Sequence, residues 1–485
     1  MKISIRLLIV LILLPWTARA EELFPLVTEH MSLRLSFDFP GETLEGVCTL
    51  RITNQSDEPR DQIPLMLYRL MPVQSVTNQE GEPLGFSQQV ASFEGFPRWQ
   101  ANHILVDERV GPHETKTITI RYGGYLLGYQ ETGMRYLTDR ISPAFTMIRM
   151  DALAYPTIGF PDVVFLQMNA RANMFSYDIE VTVPDTLMVA NGGVLQSVDR
   201  DGSDQVTYRY KDKQPTYRVD IAIGPYGKLE AHPFDIFYLT DQAAAKQIAE
   251  NGLRARNLYT SWWGELAGSN RIAIIETEKG SGGQADETCI LMPGEGFSNI
   301  SDYQFLYHEL SHLWNVKIFE AQGTSPRWEE GLATFCEVLA DETLNREKSG
   351  HVDRAFHNGL ASFRRSLERN AELRNTPMIE YGNAGLTSYS YRQPTLMFSL
   401  LYHWLGEEKF HQAVGGFYQQ YQATGASTRD FTDYWERLFP GKPLRGFFKD
   451  WVYTTAYTAL VLEIPDMETM IRHYEGEGPS DEQKN

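Results

Sequence analysis

His308, Glu309, Leu310, Ser311 and His312 spell H-E-x-x-H, and Glu330 follows eighteen positions after the second histidine, inside Trp328-Glu329-Glu330-Gly331. On a helix, histidines at i and i+4 leave one face about one turn apart, so both imidazoles can reach a single metal ion. Two neutral imidazoles and one carboxylate, with a fourth position left for water, make the donor set of a catalytic zinc. One Zn2+ per chain, held by His308, His312 and Glu330, would bring the pKa of its water to about 7. Glu309 stands beside His308 and can approach that water without ligating the metal, which makes it the natural general base. The chemistry these residues propose is hydrolysis.

Helices must carry both halves of this set. Ser301-Asp302-Tyr303-Gln304 has the S-x-x-Q form of a capping box and predicts the start of a helix bearing His308 to Trp314. Ser325-Pro326 offers an N-cap and a proline at the first helical position for the helix bearing Glu330. Cys336 falls on that same helix and reads as a small buried hydrophobe. Upstream, a helix from Asp241 to about Gly264 precedes a strand at Arg271 to Glu276, a glycine-rich segment at Gly280 to Gly283, and an extended stretch at Thr288 to Met292. Beyond about 345 the pattern is helical over 348–369, 393–404, 407–421, 427–438 and 443–452, and a polar tail follows from 475 to 485.

Residues 30–230 have a different period. Met31, Leu33, Leu35 and Phe37 alternate with polar neighbours, and Cys48, Leu50 and Ile52 repeat the period of two. Further strands are expected at Ile63 to Leu67, Thr117 to Tyr122, Tyr177 to Val183 and Val206 to Tyr210, separated by turns such as Asn191-Gly192-Gly193. An all-β domain therefore precedes the helices.

The first twenty residues have a basic start (Lys2, Arg6), an apolar run from Leu7 to Trp16 and a close at Ala18-Arg19-Ala20. That is the anatomy of a cleaved secretory signal, and it implies an exported chain, periplasmic or secreted. The apolar run is short for a membrane span and no later stretch reaches about twenty apolar residues, so no transmembrane segment is expected once the signal is removed. Loss of Lys2, Arg6 and Arg19 takes the formal charge from −19 to −22. Such acidity argues against nucleic acid or an anionic membrane surface as partner. Three cysteines, Cys48, Cys289 and Cys336, form at most one bridge, so no disulfide framework is expected.

The run His308 to Trp314, followed by Trp328-Glu329-Glu330-Gly331-Leu332-Ala333-Thr334, resembles the aminopeptidase N and leukotriene A4 hydrolase family of gluzincin zinc metallopeptidases, with a spacing one residue shorter than that family usually has. Trp314-Asn315-Val316-Lys317 is also similar to the glycyl aminopeptidases, a sister family. The resemblance implies an α+β multidomain chain. Its expected parts are a signal peptide at 1–20, a β-sandwich-like domain at 21–230 and a thermolysin-like zinc peptidase domain at 231–474 whose helical lobe begins near 300, with a disordered tail at 475–485.

Through Tyr391-Arg392-Gln393-Pro394, similar to the family's Y-x-K-G segment, the resemblance implies that Tyr391 donates a hydrogen bond to the oxyanion; Tyr389, two residues away, is the alternative. Glu337 matches a family carboxylate that orients a zinc-ligating histidine. The family's G-x-M-E-N segment, whose glutamate holds a substrate's α-amine, is replaced by Gly282-Gly283-Gln284-Ala285-Asp286-Glu287. Gly283, Asp286 and Glu287 are the substrate-binding candidates there, since a carboxylate near an ammonium would pair with it. The chain after the Glu330 helix is too short to add the family's large C-terminal helical domain, which leaves the cleft more open. The expected activity is peptide-bond hydrolysis of a peptide or protein substrate, with aminopeptidase action preferred. A zinc endopeptidase of the same fold, or a catalytically silent gluzincin-fold binding protein, is the alternative.

Overall fold

The computed structural model describes residues 24–476 apart from 164, 167–172, 201, 203, 269–270, 287, 299–302, 321–325 and 383–385. The expected leader at 1–20 and residues 477–485 lie outside the described residues. Glu475, where the sequence reading begins a tail, instead closes the helix Met467–Glu475 and accepts a hydrogen bond from Trp404 Nε1 at 2.8 Å.

The alternating segments near the N-terminus form a seven-stranded sheet centred on Leu26–Asp38, which pairs antiparallel with Thr43–Asn54 on one side and parallel with Ser176–Pro184 on the other. Register places Met31 opposite Leu50 and Leu33 opposite Cys48, so the apolar positions of both strands face one side. That face packs on a four-stranded sheet containing Ile63–Tyr68 and Phe96–Val106, and the inward residues of the two sheets form one core. The β-sandwich-like expectation thus matches the structure.

A five-stranded sheet follows, with Phe234–Tyr238, Ile272–Thr277 and Cys289–Pro293 running parallel and the two-residue strand Gln284–Ala285 antiparallel at one edge. Parallel neighbours need a long crossover. The helix Gln242–Trp263 supplies it, capped by Asp241, whose side chain accepts from Ala244 N at 2.7 Å. The rest of the chain is helical, and the core cluster of this half runs from Phe234 in the sheet to Met470 in the last helix.

The helices expected beyond 345 occur at His351–Arg369, Gln393–Leu405, Glu407–Tyr421, Thr428–Leu438 and Leu444–Phe448, the last continuing as a π-helical turn through Tyr453. Beyond 345, among the described residues, the five-residue α-helix Ala371–Asn375 and the α-helices Tyr457–Glu463 and Met467–Glu475 were not anticipated. All three are short, and none has the long 3.6-residue apolar period that marks the others.

Candidate metal centre

The two metal-bearing helices start differently from their sequence signals. The first is Gln304–Ser311, with Tyr303 in the N-cap position and no side-chain cap. Gln304 is its first residue rather than its third, and its amide donates to Asp341 Oδ2 at 3.1 Å instead of closing a capping box. The α-helix ends at Ser311 and tightens into a 3-10 turn over His312–Trp314, which still leaves both histidines on one face. The second helix is Trp328–Leu344, so Pro326 stands ahead of it rather than at its first position, with Arg327 left-handed at φ 49° between them. Ser325 lies outside the described residues.

Gly331 brings a third helix close. A side chain there would run into Pro394 and the backbone of Thr395, so glycine allows Gln393–Leu405 to pack directly beside Glu330. Cys336 is buried on the same helix as Glu330, its carbonyl oxygen accepting from the Tyr259 hydroxyl at 3.4 Å, and burial pushes its thiol up, as expected of a core residue rather than a ligand.

His308 Nε2 and His312 Nε2 are 3.2 Å apart, and Glu330 Oε2 stands 3.6 Å from the first and 3.4 Å from the second. Four donors placed tetrahedrally at about 2.05 Å from a zinc ion are about 3.3 Å from one another. The triangle is therefore sized for that ion, and among the described residues no other group of three His, Cys, Asp or Glu side chains converges this way. The residues fit the zinc that the spacing implies.

Supports surround the triangle. Glu337 Oε2 lies 2.8 Å from His308 Nδ1, so it can accept that proton and leave Nε2 as the free donor atom. Asn315 performs the matching task for His312, with its side-chain amide 2.7 Å from Nδ1. The atom placed there is the amide nitrogen Nδ2; a metal-bound Nε2 would require a proton on Nδ1, and the amide turned over would then present its carbonyl oxygen to accept it. Arg327 Nη2 donates to Glu330 Oε1 at 2.9 Å. Burial disfavours the charged form of His308, yet Glu330 and Glu337 outweigh it and raise the group to about 10. Burial opposes ionisation of Glu330 too, but the two histidines and Arg327 hold it well below the usual carboxylate range.

Glu309 is buried, and burial lifts its carboxyl to about 7 against the pull of His308 and His312. Gly283 lies directly against it. A Cβ at that position would collide with the Phe305 ring and with Glu309 Oε1. Tyr391 stacks on His308 at a centroid distance of 6.1 Å and is 39% exposed on the cleft wall. Burial and the Glu330 carboxylate push its phenol up, opposed by Arg327. Tyr389 faces elsewhere, packed edge-on to Phe363 with Arg392 over its ring.

These groups line a cleft of about 990 Å³ whose other wall comes from the β domain through Tyr136, Arg149, Asp151 and Arg218. Asp286 lines it as well, but Asp286 Oδ1 already accepts from Thr288 N and Cys289 N, both at 2.7 Å, closing the turn out of the edge strand. Glu287 lies outside the described residues. Asn315, Arg327, Asp151 and Arg218 were not anticipated as site residues. Only Asn315 had a signal, three positions beyond His312 in the Trp314-Asn315-Val316-Lys317 run.

No protein-family model and no curated protein matches this sequence. Solved structures do match. An M1 zinc metallopeptidase from Deinococcus radiodurans superposes with a TM-score of 0.63 at 18% identity, covering 88% of this chain and 94% of that one. A mutant of an M1 zinc metallopeptidase from the same organism, bound to a Tyr-Ser-Ala substrate, gives 0.62 at 17% identity over 88% and 94%. Native yeast LTA4 hydrolase gives 0.66 at 15% identity, covering 89% of this chain and 68% of that one. The fold is thus the one to which the zinc motifs pointed: a β-sheet domain followed by a largely helical half, the architecture of the M1 zinc metallopeptidases and LTA4 hydrolase.

Proposed function

We propose that the protein is an exported zinc-dependent metallopeptidase that hydrolyses peptide bonds, acting as an aminopeptidase. The observation that carries this reading is the metal-sized triangle of His308, His312 and Glu330 with Glu309 buried beside it in an open cleft. Zinc bound there would polarise a substrate carbonyl and bring a water into the nucleophilic range near neutral pH. Glu309 accepts the proton of the attacking water and returns it to the leaving amine, a role suited to a carboxyl lifted to about 7. Tyr391 donates its hydroxyl proton in a hydrogen bond to the developing oxyanion. Glu337 and Asn315 hold the two imidazoles in the tautomer and orientation that ligation needs.

A peptide substrate is in keeping with the tripeptide bound by the Deinococcus structure. The preference for a free amino terminus rests on the resemblance of the zinc motifs, since Asp151, which lines the cleft, is already paired with Arg218 at 2.8 Å. Zinc endopeptidase action is the second reading. It is favoured by the edge strand, where Ala285 carries no charge and the Asp286 carboxylate is occupied by its turn. Cleavage profiling of a peptide library with free and acetylated N-termini separates the two, since release of single residues from free ends alone supports the aminopeptidase and internal cuts insensitive to acetylation overturn it. Glu309→Gln should keep full zinc and lose hydrolysis; a variant that still turns over would refute the assigned base.

A further inference from the structure

We propose that Arg327 is a positioning residue for the metal, holding one oxygen of Glu330 so that the other is presented to the ion; the assignment rests on the zinc reading above. The two oxygens of Glu330 have separate partners. Oε2 completes the triangle at 3.4 and 3.6 Å from the histidine nitrogens, while Oε1 accepts from Arg327 Nη2 at 2.9 Å. A carboxylate with both oxygens free can grip a metal through both and fill the position that water needs. With Oε1 engaged by a guanidinium, Glu330 has one oxygen to give, and the open position stays open.

The backbone supports the same assignment. Arg327 adopts φ 49° and ψ 31°, the left-handed region, immediately before the first residue of its helix. A non-glycine residue there is strained, and such outliers persist where the surrounding structure holds them in place. Here the turn brings the side chain back over the first helical turn to Glu330, three residues on. The guanidinium is 27% exposed and lines the cleft, whereas the carboxylate it holds is only 10% exposed. It is also the cation that opposes the upward shift of the Tyr391 phenol, so it lies on the side of the cleft where the oxyanion donor stands.

Because glycine suits a left-handed residue, Arg327→Gly removes the guanidinium while easing the backbone. The measurement is zinc affinity by competition with a chromogenic chelator, in the full-length mature chain and without substrate. Partners of metal ligands typically contribute 10–100-fold in affinity, so Arg327→Gly should weaken zinc by about that factor. Arg327→Lys, which keeps the charge but loses the planar fork, should fall between Arg327→Gly and wild type. The thermal midpoint of the metal-free Arg327→Gly chain should stay near wild type, whereas a purely structural arginine would move that midpoint and leave zinc affinity alone. Zinc affinity of Arg327→Gly within threefold of wild type overturns the assignment. A wild-type chain that takes up no zinc overturns the function proposed above together with it.

Discussion

Gly283→Ala tests whether the edge strand fixes the general base. The added methyl would sit inside van der Waals contact with the Phe305 ring and with Glu309 Oε1. Glu309 is 5% exposed and has little room to swing away, so even where the half-buried Phe305 ring gives way the overlap with Glu309 Oε1 remains. In an interior packed at crystal-like density the overlap must be relieved by a shift on the order of 1 Å in the strand or in Glu309. A displacement of that size in a reacting group costs about 100-fold in rate, or roughly 2.7 kcal/mol of barrier. The three atoms nearest the new methyl belong to Phe305 and Glu309 and none to His308, His312 or Glu330, so zinc content should not change. The assay is kcat on a fluorogenic peptide substrate with zinc measured on the same sample. Adding Phe305→Ala to Gly283→Ala reopens the space and should recover part of the loss. Turnover of Gly283→Ala within threefold of wild type, with zinc in place, would refute the reasoning.

Tyr391→Phe should lower kcat by about 100- to 1,000-fold with little change in KM, the loss expected for one oxyanion donor, while Tyr389→Phe leaves kcat near wild type; equal losses in the two would overturn the assignment of Tyr391. His411 supplies a pH test away from the site. Burial lowers it from 6.5 to about 4, it stacks on Trp262 at 4.1 Å, and neither ring nitrogen has a hydrogen-bond partner among the described residues. The unfolded chain binds this proton more readily than the folded one between those values. Stability is therefore intact above pH 6.5 and falls as pH drops toward 4, by up to about 3 kcal/mol. In urea titrations across that range, His411→Phe should lose less stability on acidification than wild type, and identical slopes would exclude His411 as a source of acid lability.

The parts of the site that the sequence made legible are those written at helical spacing. His308 and His312 are one turn apart, and Glu337 follows Glu330 by seven residues on the same face, so a period of 3.6 brings each pair together without further information. Helix starts were less legible. Ser325-Pro326 reads as a cap and first turn, but the chain spends Arg327 in a left-handed conformation first, and no local pattern announces that choice. Gln304 looked like a capping partner because residue type is local, whereas its actual acceptor, Asp341, is 37 positions away. Asp151 and Arg218 belong to the β domain and reach the cleft only through the docking of one half on the other, a long-range arrangement that no window of sequence contains. The strands were legible through their period of two, but not the order in which they pair.

That order has a consequence in time. Leu26–Asp38 is the first strand among the described residues and occupies the middle of its sheet, yet one of its neighbours, Ser176–Pro184, pairs with it across a separation of 146 residues at His30 and Ser176. Closing so long a loop is slow compared with forming local hairpins. During synthesis one flank of the first strand can zip to Thr43–Asn54 at once, while the other remains an open edge until the whole β domain has been translated. The apolar face of that strand packs on the sheet containing Ile63–Tyr68 and Phe96–Val106 and can be covered sooner, so what the nascent chain carries longest is an unpaired backbone edge, the part open to pairing with another chain.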